Sequence, residues 1–168
     1  AVVADGQVVV PVPGEDGMLD LSVRDPETGE EQESAPTALR TCEAMAVHEN
    51  TVVVQSGNTL LGIDVVRPEV AFELELDKLV SPPVVSGDGQ VWVLRNNRDQ
   101  MEAVRIDPAE GTPVTVPVPI ASLFGNIAAT ADGIVLGFRG EHRGTGGLLR
   151  LDPGGAVWQT AMPQVLDG

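Results

Sequence analysis

The side chains best suited to polar recognition in this chain fall into two short stretches. Arg95, Asn97 and Arg98 stand in Arg95-Asn96-Asn97-Arg98-Asp99-Gln100, and Arg139, His142 and Arg143 in a glycine-rich run from Arg139 to Gly147. Together these stretches hold four of the nine arginines and one of the two histidines. The chain as a whole carries 25 acids against 10 bases, a formal net charge of -15. Grouped guanidinium groups oppose that field locally, and their natural chemistry is capture of a carboxylate or an acidic partner segment. The same residues also read as solvated loop tips whose arginines are neutralised by Asp99 and Glu141.

Other reactive types are sparse, and no catalytic residue and no metal ligand is assigned. His142 and His48 each lack a partner at a spacing that would make a base or a metal site, and read as incidental. Cys42 is the single cysteine, which leaves no intrachain disulfide and no paired-cysteine metal site. Glu43 follows it, so the thiol lacks the basic surroundings of a reactive cysteine and reads as a small apolar residue. Glu27, Glu30, Glu31 and Glu33 cluster without the ligand order of a calcium loop. Gly144-Thr145-Gly146-Gly147 is too short for a phosphate loop and does not lead from a strand into a helix. Neither a nucleophile elbow nor a catalytic carboxylate pair is present.

Composition narrows the partners. Aromatic residues make up 3% of the chain, with no tyrosine, which argues against stacking platforms for single-stranded nucleic acid. The acid excess repels phosphate backbones, so nucleic acid is excluded as a partner. No run approaches the ~18 apolar residues of a membrane-spanning helix, so no membrane insertion of this segment is expected. The remaining partners are a protein or a small anionic ligand. The chain opens at Ala1 with neither an initiator methionine nor a signal segment, the pattern of a processed product or an excised piece.

The polar stretches must be held by a framework, and the framework is a repeat. Four segments open with β-branched residues around a tight turn, at Gly6, Asn50, Gly89 and Gly133, spaced by 44, 39 and 44 residues. Glycine and asparagine are the residues that accept positive φ in two-residue hairpin turns. A further strand in each segment ends in Asp25, Asp64, Asp107 or Asp152, spaced by 39, 43 and 45. In three of the four, proline and then glycine follow the aspartate, a turn in which Asp caps its own backbone and Pro presets φ. A fourth strand follows, as in Ala71-Phe72-Glu73-Leu74-Glu75-Leu76, whose alternation leaves one face in solvent. No segment sustains a helical period, and 36–46 reads as a connection. Four antiparallel strands recurring every ~40 residues is the pattern of propeller blades. The expected fold is therefore all-β, a β-propeller of about four four-stranded antiparallel blades. The blades fall at 1–41, 42–80, 81–122 and 123–164 of a single segment, with 165–168 opening another blade or closing the ring.

Leu149-Arg150-Leu151-Asp152-Pro153-Gly154-Gly155-Ala156-Val157-Trp158 resembles the PQQ-like, quinoprotein-type β-propeller repeat. The other three repeats lack its closing tryptophan and resemble it more distantly. The resemblance implies rings of seven or eight blades, so the chain is expected to be part of a larger ring, completed by further blades or by a second copy. It also implies where ligand loops sit, between strands two and three and between strand four and the next blade. The catalytic quinoproteins of the family hold their cofactor against an adjacent-cysteine disulfide, which one cysteine cannot make, so no cofactor is expected. The reading is a non-catalytic binding or scaffold propeller, extracellular or at the cell surface. The alternative is a fragment of a propeller hydrolase or lyase, or the sensor module of a membrane receptor kinase. The candidate ligand-binding residues are Arg95, Asn97, Arg98, Arg139, His142 and Arg143.

Overall fold

The computed structural model describes residues 1–98, 100–120, 122–139 and 146–161, and among these every regular element is a strand. The first sheet holds β1 (Val2–Ala4), β2 (Gln7–Pro13), β3 (Leu19–Arg24) and β4 (Glu31–Pro36); the second β5 (Ala44–His48), β6 (Thr51–Ser56), β7 (Thr59–Asp64) and β8 (Glu69–Glu75). The third holds β9 (Val84–Val85), β10 (Val91–Asn97), β11 (Gln100–Ile106) and β12 (Pro113–Pro117); the fourth β13 (Ser122–Ala129), β14 (Ile134–Arg139), β15 (Gly146–Asp152) and β16 (Gly155–Ala161). Each sheet is antiparallel throughout, with its strands side by side in chain order. The fold is all-β, built of four four-stranded antiparallel sheets, the strands of each ordered as in a propeller blade.

The recurring aspartates make the turns that their spacing suggests. Asp25 Oδ1 accepts the Glu27 N–H at 2.8 Å, Asp64 the Val66 N–H at 2.9 Å, Asp107 the Ala109 N–H at 2.9 Å and Asp152 the Gly154 N–H at 2.7 Å. Each carboxylate thus satisfies a backbone donor at the turn from third to fourth strand, as Asx turns do. The turns between first and second strands follow the glycine and asparagine positions less closely. Asp5 and Gly6 are both left-handed, as is Gly89, but in the second sheet the left-handed residue is Glu49 rather than Asn50, and Gly133 is not left-handed.

The chain divides into two compact units, Ala1–Leu76 with Asp107–Thr112, and Asp77–Ile106 with Pro113–Gly168. Each has its own core. In the first, Val9, Leu21 and Val23 of the first sheet pack with Val52, Val54, Leu61 and Ile63 of the second. In the second, Trp92, Leu94 and Met101 pack with Ile134, Leu136, Leu149 and Leu151. The uninterrupted apolar runs Val52-Val53-Val54 and Val91-Trp92-Val93-Leu94 are buried on both faces, as central strands covered on two sides must be. Trp92 is wholly buried and its indole N–H donates to Ser86 Oγ at 3.1 Å, which satisfies its one polar atom.

A second packing device sits in the first unit. Phe72 of β8 lies across from Gly62 of β7, just beyond a bulge in the ladder. Its ring occupies the space a side chain at 62 would need: a Cβ there would come within 2.3 Å of the ring. Gly111, left-handed at φ 65° and buried, closes on Phe72 as well; a Cβ on it would sit 2.4 Å from that of Phe72.

Candidate ligand site on the third and fourth sheets

Arg95 and Asn97 lie at the end of β10, and the ladder between β10 and β11 sets Asn97 opposite Gln100. That register sets Arg95 directly across from Glu102. The Arg95 Nε donates to Glu102 Oε2 at 2.8 Å, and the Asn97 amide donates to Glu102 Oε1 at 3.2 Å. A second guanidinium nitrogen of Arg95 reaches Thr115 Oγ1 on β12 at 3.4 Å. The Arg95 and Glu102 side chains are only 22% and 17% exposed, so this is a half-buried, charge-assisted pair with both carboxylate oxygens occupied. Two of the six candidate residues are therefore brought together, on an acid that the sequence reading did not single out. Arg98 stands just past β10, left-handed at φ 48° and exposed. Arg139 is the exposed last residue of β14, paired in the ladder with Ser122 and Gly146. His142 and Arg143 lie outside the described residues, as do Asp99 and Glu141.

Beside Gln100 the second unit opens into a cleft of about 700 Å³. Three segments line it: Gln100–Glu102 at the start of β11, Pro117–Ile120 running from β12 toward β13, and Gly154–Ala156 at the β15–β16 turn. Its walls are mostly apolar, with Met101, Val118 and Ile120 continuing into the core of this unit. The two prolines, with no N–H to satisfy, let the 117–120 segment run along an apolar wall at little polar cost. Val118 N–H bonds to the Met101 carbonyl at 3.1 Å, which ties the two segments together, and Ile120 N–H bonds to the Val118 carbonyl at 2.8 Å within its own segment. Among the described residues Glu102 is the one ionisable side chain of the lining, and Arg95 and Asn97 hold it from the side. The signal that could have found this cleft was the connection from fourth strand to next first strand, with its alternating Pro117-Val118-Pro119-Ile120.

Among the described residues no three of His, Cys, Asp and Glu converge as metal ligands would. Glu31 of the acidic cluster accepts a hydrogen bond from Ser22 Oγ and lies 3.8 Å from Arg24. Cys42 is partly buried, with its thiol 3.8 Å from the Ala44 carbonyl; burial, reinforced by the Glu43 carboxylate, pushes the thiol above its ordinary range. Such a thiol stays protonated at neutral pH and is a poor nucleophile.

No family model matches the chain, and no curated protein matches its sequence. Solved structures match its fold. The hydrazine synthase of Kuenenia stuttgartiensis aligns with a TM-score of 0.67 at 13% identity, covering 95% of this chain and 47% of that one. The WD40 domain of Neurospora crassa Pan2 aligns with a TM-score of 0.55 at 17% identity, covering 89% and 50%. The extracellular domain of a one-component system from B. thetaiotaomicron aligns with a TM-score of 0.53 at 15% identity, covering 87% and 21%. The chain thus spans half or less of the length of each. The fold is of the β-propeller type, and likeness at this identity extends to the fold alone. Among the described residues no helix is long and apolar enough to cross a membrane.

Proposed function

We propose that the chain is a non-catalytic binding module, a propeller segment of the cell surface or of an exported protein, whose ligand lies in the cleft of the second unit. The ligand has an apolar body, matched to Met101 and the Pro117–Ile120 wall, and one anionic group for which Arg98, Arg139, His142 and Arg143 are the candidate contacts. The observation that carries the reading is the cleft itself: an apolar-walled space in which the only carboxylate among the described residues has both oxygens occupied by Arg95 and Asn97. A site of that kind favours binding by burial and offers no free acid or base for proton transfer. The likeness of the fold to the extracellular domain of a one-component system supports the exported setting.

Anilinonaphthalene sulfonate, an apolar body with a single anionic group, is a direct probe. It should bind the native protein saturably, with enhanced fluorescence and a near-ultraviolet dichroism spectrum unchanged. Ile120→Asp should abolish the saturable phase, and Arg98→Ala should weaken it about tenfold or less while flattening its dependence on salt. Binding that survives both substitutions unaltered overturns the site.

A further inference from the structure

The second and third sheets match residue for residue, and they differ where the cleft opens. Asp64 and Asp107 anchor the match. Two residues before each, Gly62 pairs with Phe72 and Arg105 with Val114; two further back, Leu60 pairs with Leu74 and Ala103 with Val116. The next contact is also the same in both: Leu76 N–H bonds to the Asn58 carbonyl at 2.8 Å and Val118 N–H to the Met101 carbonyl at 3.1 Å. Alternation along the strand puts Phe72, Leu74 and Leu76 on one face of the second sheet, and Val114, Val116 and Val118 on the matching face of the third. All three are smaller in the third sheet, as is Ala103 in the place of Leu60; only Arg105 and Met101 on that face exceed their counterparts Gly62 and Asn58.

The chemistry of the lining changes as well. Gln100–Glu102 and Pro117–Ile120 match Gly57–Thr59 and Glu75–Lys78 of the second sheet. Met101 thus stands in the place of Asn58, Pro119 in that of Asp77 and Ile120 in that of Lys78. The second sheet keeps the same ladder with polar residues at these positions, so strand pairing does not demand the apolar wall of the third.

The first unit shows how this protein seats a ring: Phe72 packs against Gly62 and Gly111, two positions with no side chain. The cleft offers the same kind of surface in Gly154 and Gly155. Gly155 has φ 119° and nothing within 4 Å of a Cβ placed on it, so its backbone angle calls for glycine and the space beside it is open. Bare peptide groups let a flat ring approach where a side chain would hold it off. Met101 brings a polarisable thioether to the same cleft, and sulfur is attracted to aromatic rings. The volume of about 700 Å³ is that of a small-molecule site.

We propose that the ligand of this cleft is a small aromatic carboxylate, and that Met101 is the residue that selects its ring over a saturated one. The proposal rests on the cleft being the ligand site and names what the site prefers.

3-Phenylpropionate and 3-cyclohexylpropionate share chain and charge, and burial of hydrocarbon alone favours the second. Displacing anilinonaphthalene sulfonate from the native protein should nevertheless take about two- to tenfold less of the phenyl acid, the range that a sulfur–ring contact supplies. Met101→Leu keeps the volume and the apolar character of the side chain. It should remove that preference, or reverse it, while the probe still binds saturably and the near-ultraviolet dichroism spectrum is unchanged. Val118→Leu installs the residue of the second sheet, and should weaken both acids while the phenyl acid stays ahead. A native protein that binds the probe saturably but favours the cyclohexyl acid, or releases the probe to neither acid, overturns the inference and leaves the cleft as a binding site. A phenyl preference that survives Met101→Leu undiminished overturns the role of Met101. Absence of saturable probe binding to the native protein removes the inference together with the reading it rests on.

Discussion

Asp64 is an acid whose surroundings act on it in opposite directions. Burial raises its pKa, but the Arg67 side chain and the backbone N–H groups of Val66 and Arg67 outweigh that, and the carboxyl is held below its ordinary value of 3.8. The Arg67 guanidinium donates two bonds to Asp64 Oδ2, at 3.0 and 2.8 Å. A carboxyl with a lower pKa folded than unfolded stabilises the protein fully above the unfolded value, and that stabilisation is lost as pH falls below 3.8 through the folded value. Asp64→Asn keeps a backbone acceptor but loses the charge. It should cost about 1 kcal/mol at neutral pH, with the gap to wild type closing below pH 3.8 in denaturant titrations. A gap that stays constant through the acid range assigns the effect to packing instead. Cys42 gives a second test at this scale. Labelling of the native thiol with a disulfide reagent at neutral pH should be slower than that of the unfolded chain, and should accelerate as pH rises past the ordinary thiol value of 9.0.

At the scale of strands and turns, Phe72 over Gly62 is the sharpest test. Gly62→Ala places a methyl group against the ring and should destabilise by about 1–3 kcal/mol, the range for overpacking. Phe72→Ala alone should cost about 3–5 kcal/mol. Together they should cost less than their sum, because the truncated ring no longer meets the added methyl; additive values in urea unfolding would show that the two residues do not share one space. Much of the secondary structure was legible because the signals are local. An aspartate that binds its own downstream N–H needs no distant partner, so Asp25, Asp64, Asp107 and Asp152 announce their turns in sequence. The pairing of Arg95 with Glu102 was less visible because it requires the register. Once Asn97 is known to stand opposite Gln100, two steps along each strand away from that pair give Arg95 and Glu102. The lining of the cleft was not legible: Gly154–Ala156 stands more than thirty residues from Pro117–Ile120, and only packing of the third sheet with the fourth brings them to one space. The left-handed Glu49 likewise contradicts residue preference, since the ladder between β5 and β6 imposes the turn that asparagine was expected to make.

For the whole chain, the two cores set the pattern of stability. Leu61 belongs to the first and Leu149 to the second, and both are essentially unexposed. Truncating either to alanine should cost about 2–5 kcal/mol. In native-state hydrogen exchange, Leu149→Ala should lower protection in β14 and β15 more than in β6 and β7, and Leu61→Ala the reverse. Uniform loss of protection in both variants would mean that the two units unfold as one.

The order of strands within each sheet has a consequence for how the chain comes to be folded. Every strand pairs with its neighbour in sequence, and no sheet contains a crossover. Each sheet therefore closes only short loops, whose entropic cost grows slowly with length, and sequence separation between partners is small for a β protein. A nascent chain need not wait for its C-terminus: the first sheet has all its strands once residue 36 has emerged, and the first core all its residues once Val65 has followed. Synthesis and folding can proceed in the same direction, one sheet at a time. The interval in which unpaired strand edges invite aggregation is then short for each sheet.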